Sequence, residues 1–305
     1  MEAIINQVLI LFIPVIIGYI FAKRKLTEKS FAKSLSVFLF NVSLPCSLVS
    51  AMQVDFEPKM LTSGGIILII SILITLLSYL FGNLLAKILR AKGYEKRIIR
   101  FSTAFSNFGF MGYPVAGAFL GDIGVFYATI FSIPLHILVQ SLGIATLIRK
   151  DGNGKKFKLD YILNPPLAGI YIGLILMLFR IKLPFAIDQT LFLLGNTTTP
   201  LAMFLAGLVL TDLPLKSAFV NFRVYIVTAF RLIIIPLLFY FILKLFNLDD
   251  MTLKIPVIIT MMPIATNLVI VSTTYDGDVT VSAQYVLIST LLSLITIPIL
   301  GSFFR

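Results

Sequence analysis

Two stretches of this sequence combine asparagine, glycine and proline at spacings that a helix does not tolerate: Phe105-Ser-Asn-Phe-Gly-Phe-Met-Gly-Tyr-Pro114 and Met261-Met-Pro-Ile-Ala-Thr-Asn267. Both lie in the middle of apolar segments. Proline removes a backbone donor and its ring strikes the preceding turn, while glycine weakens the helix around it, so each stretch leaves amides and carbonyls without helical partners. In hydrocarbon such groups need other partners or water, which confines each break to protein interior or a cavity. Proline also suits the first turn of a second half-helix, whose positive dipole end then points into the middle of the membrane. Two such ends make a site for an anion. The candidate binding residues are Asn107, Gly112, Tyr113 and Pro114 in the first stretch and Pro263, Thr266 and Asn267 in the second.

Four further positions belong with them. Arg231, in Phe230-Arg-Leu-Ile-Ile-Ile-Pro236, lies about nine residues into an apolar segment, roughly 14 Å deep at 1.5 Å per residue. A charge at that depth costs about 2.5 to 3.5 kcal/mol on insertion scales. Two roles are open to it: counter-charge for an anion, or anchor for the carbonyls of a broken helix. Asn41 and Asn196 each have proline four positions on, at Pro45 and Pro200, and no other asparagine does. His136, with Ser132 and Gln140 one turn to either side, is consistent with a proton relay or with a hydrogen-bonded histidine inside a bundle.

These residues need a membrane to work in. Of the 305 residues 58% are hydrophobic and only 13% charged, far less charge than a soluble domain carries. Hydropathy and turn residues predict ten spans, at 4–22, 32–52, 63–86, 98–119, 123–147, 163–179, 187–210, 221–243, 254–274 and 280–303. Lys23-Arg-Lys25 directly follows the first span, which has no A-x-A site, so it reads as a retained helix and not a signal peptide. The net charge of +11 would suggest nucleic acid in a soluble protein; here 18 of the 25 Lys and Arg fall in one alternate set of loops. That set is expected in the cytoplasm, with both termini outside the cytoplasmic membrane and no nucleic-acid partner.

The halves of the chain correspond. Asn41-Val-Ser-Leu-Pro45 and Asn196-Thr-Thr-Thr-Pro200 lie 155 residues apart, and the only two Gly-Asp dipeptides, Gly121-Asp122 and Gly277-Asp278, lie 156 apart. Repeats of odd span number are inverted in the membrane. The expected organisation is a first five-helix repeat at 1–148, a polar cytoplasmic linker at 149–162 and an inverted second repeat at 163–305. One cysteine, Cys46, and one histidine exclude a disulfide framework and paired-histidine metal motifs. Absence of a nucleophile elbow, a phosphate-binding loop and a dinucleotide fingerprint argues against an enzyme. All fourteen acidic residues fall in loops or near span ends, which disfavours a two-aspartate antiporter site and leaves sodium on neutral ligands, or no coupling ion, ahead of protons.

Asn41-x3-Pro45, the Ser106 to Pro114 run, Arg231-x4-Pro236, Met262-Pro-Ile-Ala-Thr-Asn267 and Tyr275-Asp-Gly-Asp followed by Ser289-Thr-Leu-Leu-Ser293 resemble the auxin efflux carrier family, over all ten spans. The short linker resembles the prokaryotic branch, which includes malonate and malate permease-like members, more than the long-loop plant PIN proteins. The resemblance implies an all-α fold of two inverted five-helix repeats with broken, crossing helices 4 and 9, of the sodium/bile-acid symporter and sodium/proton antiporter type. It implies a scaffold domain (helices 1, 2, 6, 7), a transport domain (3–5, 8–10), a homodimer through the scaffold, and alternating-access transport of a small organic anion, auxin-like or dicarboxylate. Pro114 matches the fourth-helix crossing proline, with Asn107 and Gly112 in the same motif. Plant members carry a further proline where this chain has Leu268, and Asn267 beside it stands to supply the polar group instead. A cation-coupled symporter and a gated channel are the alternatives.

The charge distribution yields a direct check. In a Cys46→Ser background, a cysteine placed at Asn153 should react with a membrane-impermeant maleimide in inside-out vesicles and not in intact cells; the reverse pattern would invert the orientation.

Overall fold

The computed structural model describes residues 2–53, 58–147, 165–211, 221–274 and 277–303. The expected linker at 149–162 lies outside them. Among the described residues the chain is helical and contains no strand. Six helices are long and apolar enough to cross a membrane by length and composition: Ser30–Ala51, Lys59–Ile88, Phe108–Leu147, Phe185–Leu208, Phe222–Lys244 and Val279–Phe303.

Fifteen α-helical pieces are described. They are α1 (Glu2–Lys23), α2 (Lys29–Phe38), α3 (Leu44–Ala51), α4 (Pro58–Ile88), α5 (Gly93–Ala104), α6 (Tyr113–Leu138), α7 (Ile144–Leu147), α8 (Pro165–Leu178), α9 (Phe185–Asn196) and α10 (Thr198–Thr211). After these come α11 (Phe222–Ala229), α12 (Ile235–Lys244), α13 (Asp250–Thr260), α14 (Asn267–Thr274) and α15 (Val279–Phe303). Several pieces are parts of one interrupted rod, and three of the interruptions have a common cause, the turn over Val139–Gly143 being the one without it. Widened, π-type turns run over Leu39–Ser43, Phe108–Gly112 and Phe230–Ile234, and each ends two residues before a proline: Pro45, Pro114 and Pro236. A proline ring clashes with the carbonyl four residues back. Those carbonyls belong to Asn41, Phe110 and Leu232, all inside the widened turns. Enlarging the turn takes the carbonyl off the ring, and a π-type turn is one of the few ways a helix can do so.

The chain divides into two compact units. Unit 1 comprises residues 1–65, 109–130 and 162–212. In it α1 lies along α10, and α3 packs on α8 and α9. These contacts require glycine. A side chain on Gly207 would strike the Val15 carbonyl, and one on Gly18 the Phe204 carbonyl; a β-carbon on Gly195 would come within 2.8 Å of the Ser47 backbone. Small residues let helix backbones approach this closely where no hydrophobic effect drives association. Within α6 the helix is broken at Gly121 (φ 68°, ψ −160°), a conformation open to glycine, so a kink falls at the first Gly-Asp pair.

Unit 2 comprises residues 66–108, 131–161 and 213–305. A polar cluster ties one end of it together. Glu95 at the start of α5 accepts from Arg223 (2.8 Å), from the Asn221 side chain (3.0 Å) and from the Tyr285 hydroxyl of α15 (3.3 Å). Beside it Tyr94 meets Ser272 of α14 (3.0 Å), which meets Ser282 of α15 (2.7 Å). Burial holds the Tyr94 phenol above its ordinary range, keeping it a neutral partner for Ser272. The second Gly-Asp pair sits here for a different reason from the first. A side chain on Gly277 would collide with the Tyr94 hydroxyl, and Asp278 caps α15 by accepting from the Val281 N–H at 2.9 Å.

Replacing Gly207 with valine should force α1 and α10 apart and cost about 1–3 kcal/mol or more. Thermal unfolding of the detergent-purified protein measures this, and an unchanged midpoint would contradict the packing described.

Candidate functional site

Helix α5 stops at Ala104 and α13 at Thr260, both in unit 2, and the segments that follow pair with each other. Ser106 and Ile264 face as an antiparallel pair; the Asn107 N–H donates to the Pro263 carbonyl at 2.8 Å, and the Ala265 N–H donates to the Phe105 carbonyl at 3.2 Å. A third orphan donor, the Ile264 N–H, reaches the Ser289 hydroxyl on α15 at 3.1 Å. The whole run from Ser102 to Phe108 and from Met261 to Ala265 is buried. Each backbone group freed by a stopped helix would otherwise be stranded without water, so this pairing is what permits the breaks.

Arg231 completes the arrangement. Pro236 sets the widened turn at Phe230–Ile234, and Arg231 sits within it, only 2% exposed. Its Nη1 donates to the Thr103 carbonyl at 3.0 Å and its Nε to the Met262 carbonyl at 3.4 Å. Of the two roles the sequence leaves open, this geometry is the anchor: the guanidinium fork bonds one carbonyl from each interrupted segment.

The sequence-derived residues divide between the units. Asn107, Pro263 and Arg231 come together in unit 2, with Thr266 and Asn267 following directly at the start of α14. Asn107 is 6% exposed, and among the described residues its carboxamide makes no hydrogen bond. Pro263 departs from expectation. It does not open the second half-helix, because its carbonyl is engaged by Asn107 and helix resumes only at Asn267. Pro114 does occupy the first turn of α6. His136 also differs from a hydrogen-bonded histidine at Nε2, which is buried and has no partner among the described residues; its ring stands edge-on to Phe108, centroids 4.7 Å apart at 89°.

In unit 1, Tyr113, Pro114 and Asn196 line a cavity of about 450 Å³ together with Ser47, Gln53 and Thr198. Among the described residues its one charged lining residue is Asp122, beside Gly121. Gly112 ends the widened turn that precedes α6. Asn41 lies outside the cavity lining, exposed, with its side chain donating to the Val37 carbonyl of its own helix at 2.8 Å. Below the cavity Ser43 bonds Thr198 (2.7 Å) and Thr197 (2.9 Å), so both Asn-x3-Pro motifs fall where a helix is interrupted.

Sequence reasoning missed Ser289, Gln53 and Asp122. Ser289 carried a signal, since it falls in a motif already singled out; a serine in an apolar helix needs a polar partner. Asp122 reads from sequence as a residue near a span end, and nothing in its spacing marks it as a cavity residue.

These apolar helices make the chain a multi-pass membrane protein. A family model described as membrane transport protein matches residues 3–158 and 150–300, and the chain belongs to that family, the auxin efflux carriers. It is similar to an uncharacterized transporter of Methanocaldococcus jannaschii, 27% identical over 304 residues and 97% of each chain. It is also similar to one from Methanothermobacter thermautotrophicus, 24% identical over 299 residues and 96% of each. The uncharacterized transporter YfdV of Escherichia coli is 22% identical over 307 residues, covering 97% of this chain and 96% of its own.

Ser289→Ala should leave the Ile264 amide buried without a partner and destabilise the protein by about 1–3 kcal/mol. A melting temperature equal to that of the starting protein would show that the hydroxyl is not needed at the break.

Proposed function

We propose that this transport protein is a secondary carrier for a small organic anion, moving a carboxylate across the cytoplasmic membrane by alternating access. The observation that carries the reading is the mutual hydrogen bonding of two interrupted helices in unit 2, with the buried carboxamide of Asn107, which bonds to none of the described residues, among them. Asn107 and the helix start at Asn267 offer donors to a carboxylate, and the positive end of α14 favours its charge. Within unit 1, Pro114, Tyr113 and Asn196 line a cavity of their own, a separate candidate for binding.

In this reading the ten helices form two inverted repeats with the interrupted fourth and ninth crossing. The placement of both Asn-x3-Pro motifs at helix interruptions supports it, as does the presence of a Gly-Asp pair at each corresponding position. The grouping of spans 1, 2, 6 and 7 in unit 1, together with residues 109–130, supports reading it as the scaffold; the grouping in unit 2 of spans 3 and 8–10 with the rest of spans 4 and 5 supports reading it as the moving domain. A second reading, a cation-coupled symporter, is favoured by Asp122, whose carboxylate shares its cavity with the hydroxyls of Ser47 and Thr198. These are hard oxygen ligands of the kind sodium takes.

The test is thermal stabilisation of the purified protein by malonate, malate and indole-3-acetate, each in sodium and in potassium. Stabilisation grows with the logarithm of ligand concentration over Kd. A saturable rise with at least one acid is expected, reduced about ten-fold in apparent affinity by Asn107→Ala; a sodium requirement abolished by Asp122→Asn would favour the symporter. No shift with any acid would overturn the anion reading.

A further inference from the structure

The position of Arg231 raises a question that anchoring alone does not answer. It is buried at 2% exposure and among the described residues forms no ion pair, whereas Arg223 has Glu95 and Lys254 has Asp250. A cation held in a low-dielectric interior needs something negative close by. Its two bonded partners supply it. Thr103 is the penultimate residue of α5, and Met262 lies two residues past the end of α13. Both carbonyls therefore belong to helix C-terminal ends, where the last carbonyls have no intrahelical partner and each helix carries about half a negative charge. At the same ends the Phe101 carbonyl takes the Phe105 N–H, the Val257 carbonyl takes the Met261 N–H and the Ile259 carbonyl takes the Met262 N–H, while Arg231 takes the carbonyls of Thr103 and Met262.

We infer that Arg231 is the specificity-determining residue of this site: by cancelling the negative ends of α5 and α13, it leaves the positive end of α14 to set the local charge, so that the break accepts anions. The inference rests on the anion reading above and deepens it. Arg231 acts through the two helix ends and needs no contact with the substrate. Arginine fits the task better than lysine because its planar fork spans two carbonyls from separate segments. The field, however, requires only the charge. Loss of the cation exposes two negative ends beside the carboxylate, and the site turns toward neutral or cationic ligands.

The test uses three ligands with one ring system and different charge: indole-3-acetate, indole-3-acetamide and tryptamine. Their apparent affinities are read by thermal shift on the detergent-purified full chain, in the starting protein, Arg231→Gln and Arg231→Lys. The starting protein should prefer the acid over the amide. In Arg231→Gln that preference should fall roughly ten-fold or more, with tryptamine gaining. In Arg231→Lys the melting temperature should fall, because the fork is lost, while the preference for the acid stays within about three-fold. If Arg231→Gln does not fold, Arg231→Lys decides alone: a retained preference at lowered stability supports the inference, and a collapsed preference overturns it. An Arg231→Gln protein that keeps the full acid preference overturns the inference and leaves the anion reading standing. A starting protein that binds the amide as well as the acid overturns both.

Discussion

A helix that stops inside an apolar interior releases backbone donors and acceptors that water cannot reach, and everything at the centre of unit 2 follows from how those groups are matched. Asn107 and Pro263, Ala265 and Phe105, Ile264 and Ser289, and Arg231 with Thr103 and Met262 each close one vacancy left by α5 or α13. No single pairing is strong. Together they allow two polar interruptions to lie in a region where an unmatched amide would cost several kcal/mol.

The prolines act one step earlier. Pro45, Pro114 and Pro236 do not simply end helices; each follows a widened turn that removes a clashing carbonyl and rotates the residues within it. That rotation is what brings Arg231 in line with carbonyls of two other segments. In unit 1 the same device interrupts the helix ahead of α3, where Gly195 lets α9 come against Ser47 and Ser43 reaches the hydroxyls of Thr197 and Thr198. Backbone irregularity and close approach therefore occur together.

Much of this was legible in the sequence, and the reason is that prolines and glycines have few structural uses inside apolar segments. The interruptions at Asn107 and Pro263, the break at Gly121 and the burial of Arg231 were all readable from residue type and spacing. Details that depend on partners were not. Whether Arg231 meets an anion or a carbonyl is decided by the phase of the widened turn, which spacing does not encode. Pro263 was expected to open a helix, yet its carbonyl is worth more as the acceptor for Asn107. The two Gly-Asp pairs match in sequence while serving different ends, a left-handed φ at Gly121 and clearance for Tyr94 at Gly277.

The pairing of residues 105–107 with 263–265 has an implication for how such proteins diverge. Its hydrogen bonds are made by main-chain atoms, apart from the one to Ser289, so most substitutions along it leave the donors and acceptors in place. Selection can then alter side chains around the break, and with them the molecule that is recognised, without dismantling the break itself. Chains that share barely a quarter of their residues, as this one does with its archaeal relatives, could inherit the same interruption as a mechanical part while evolving separate tastes.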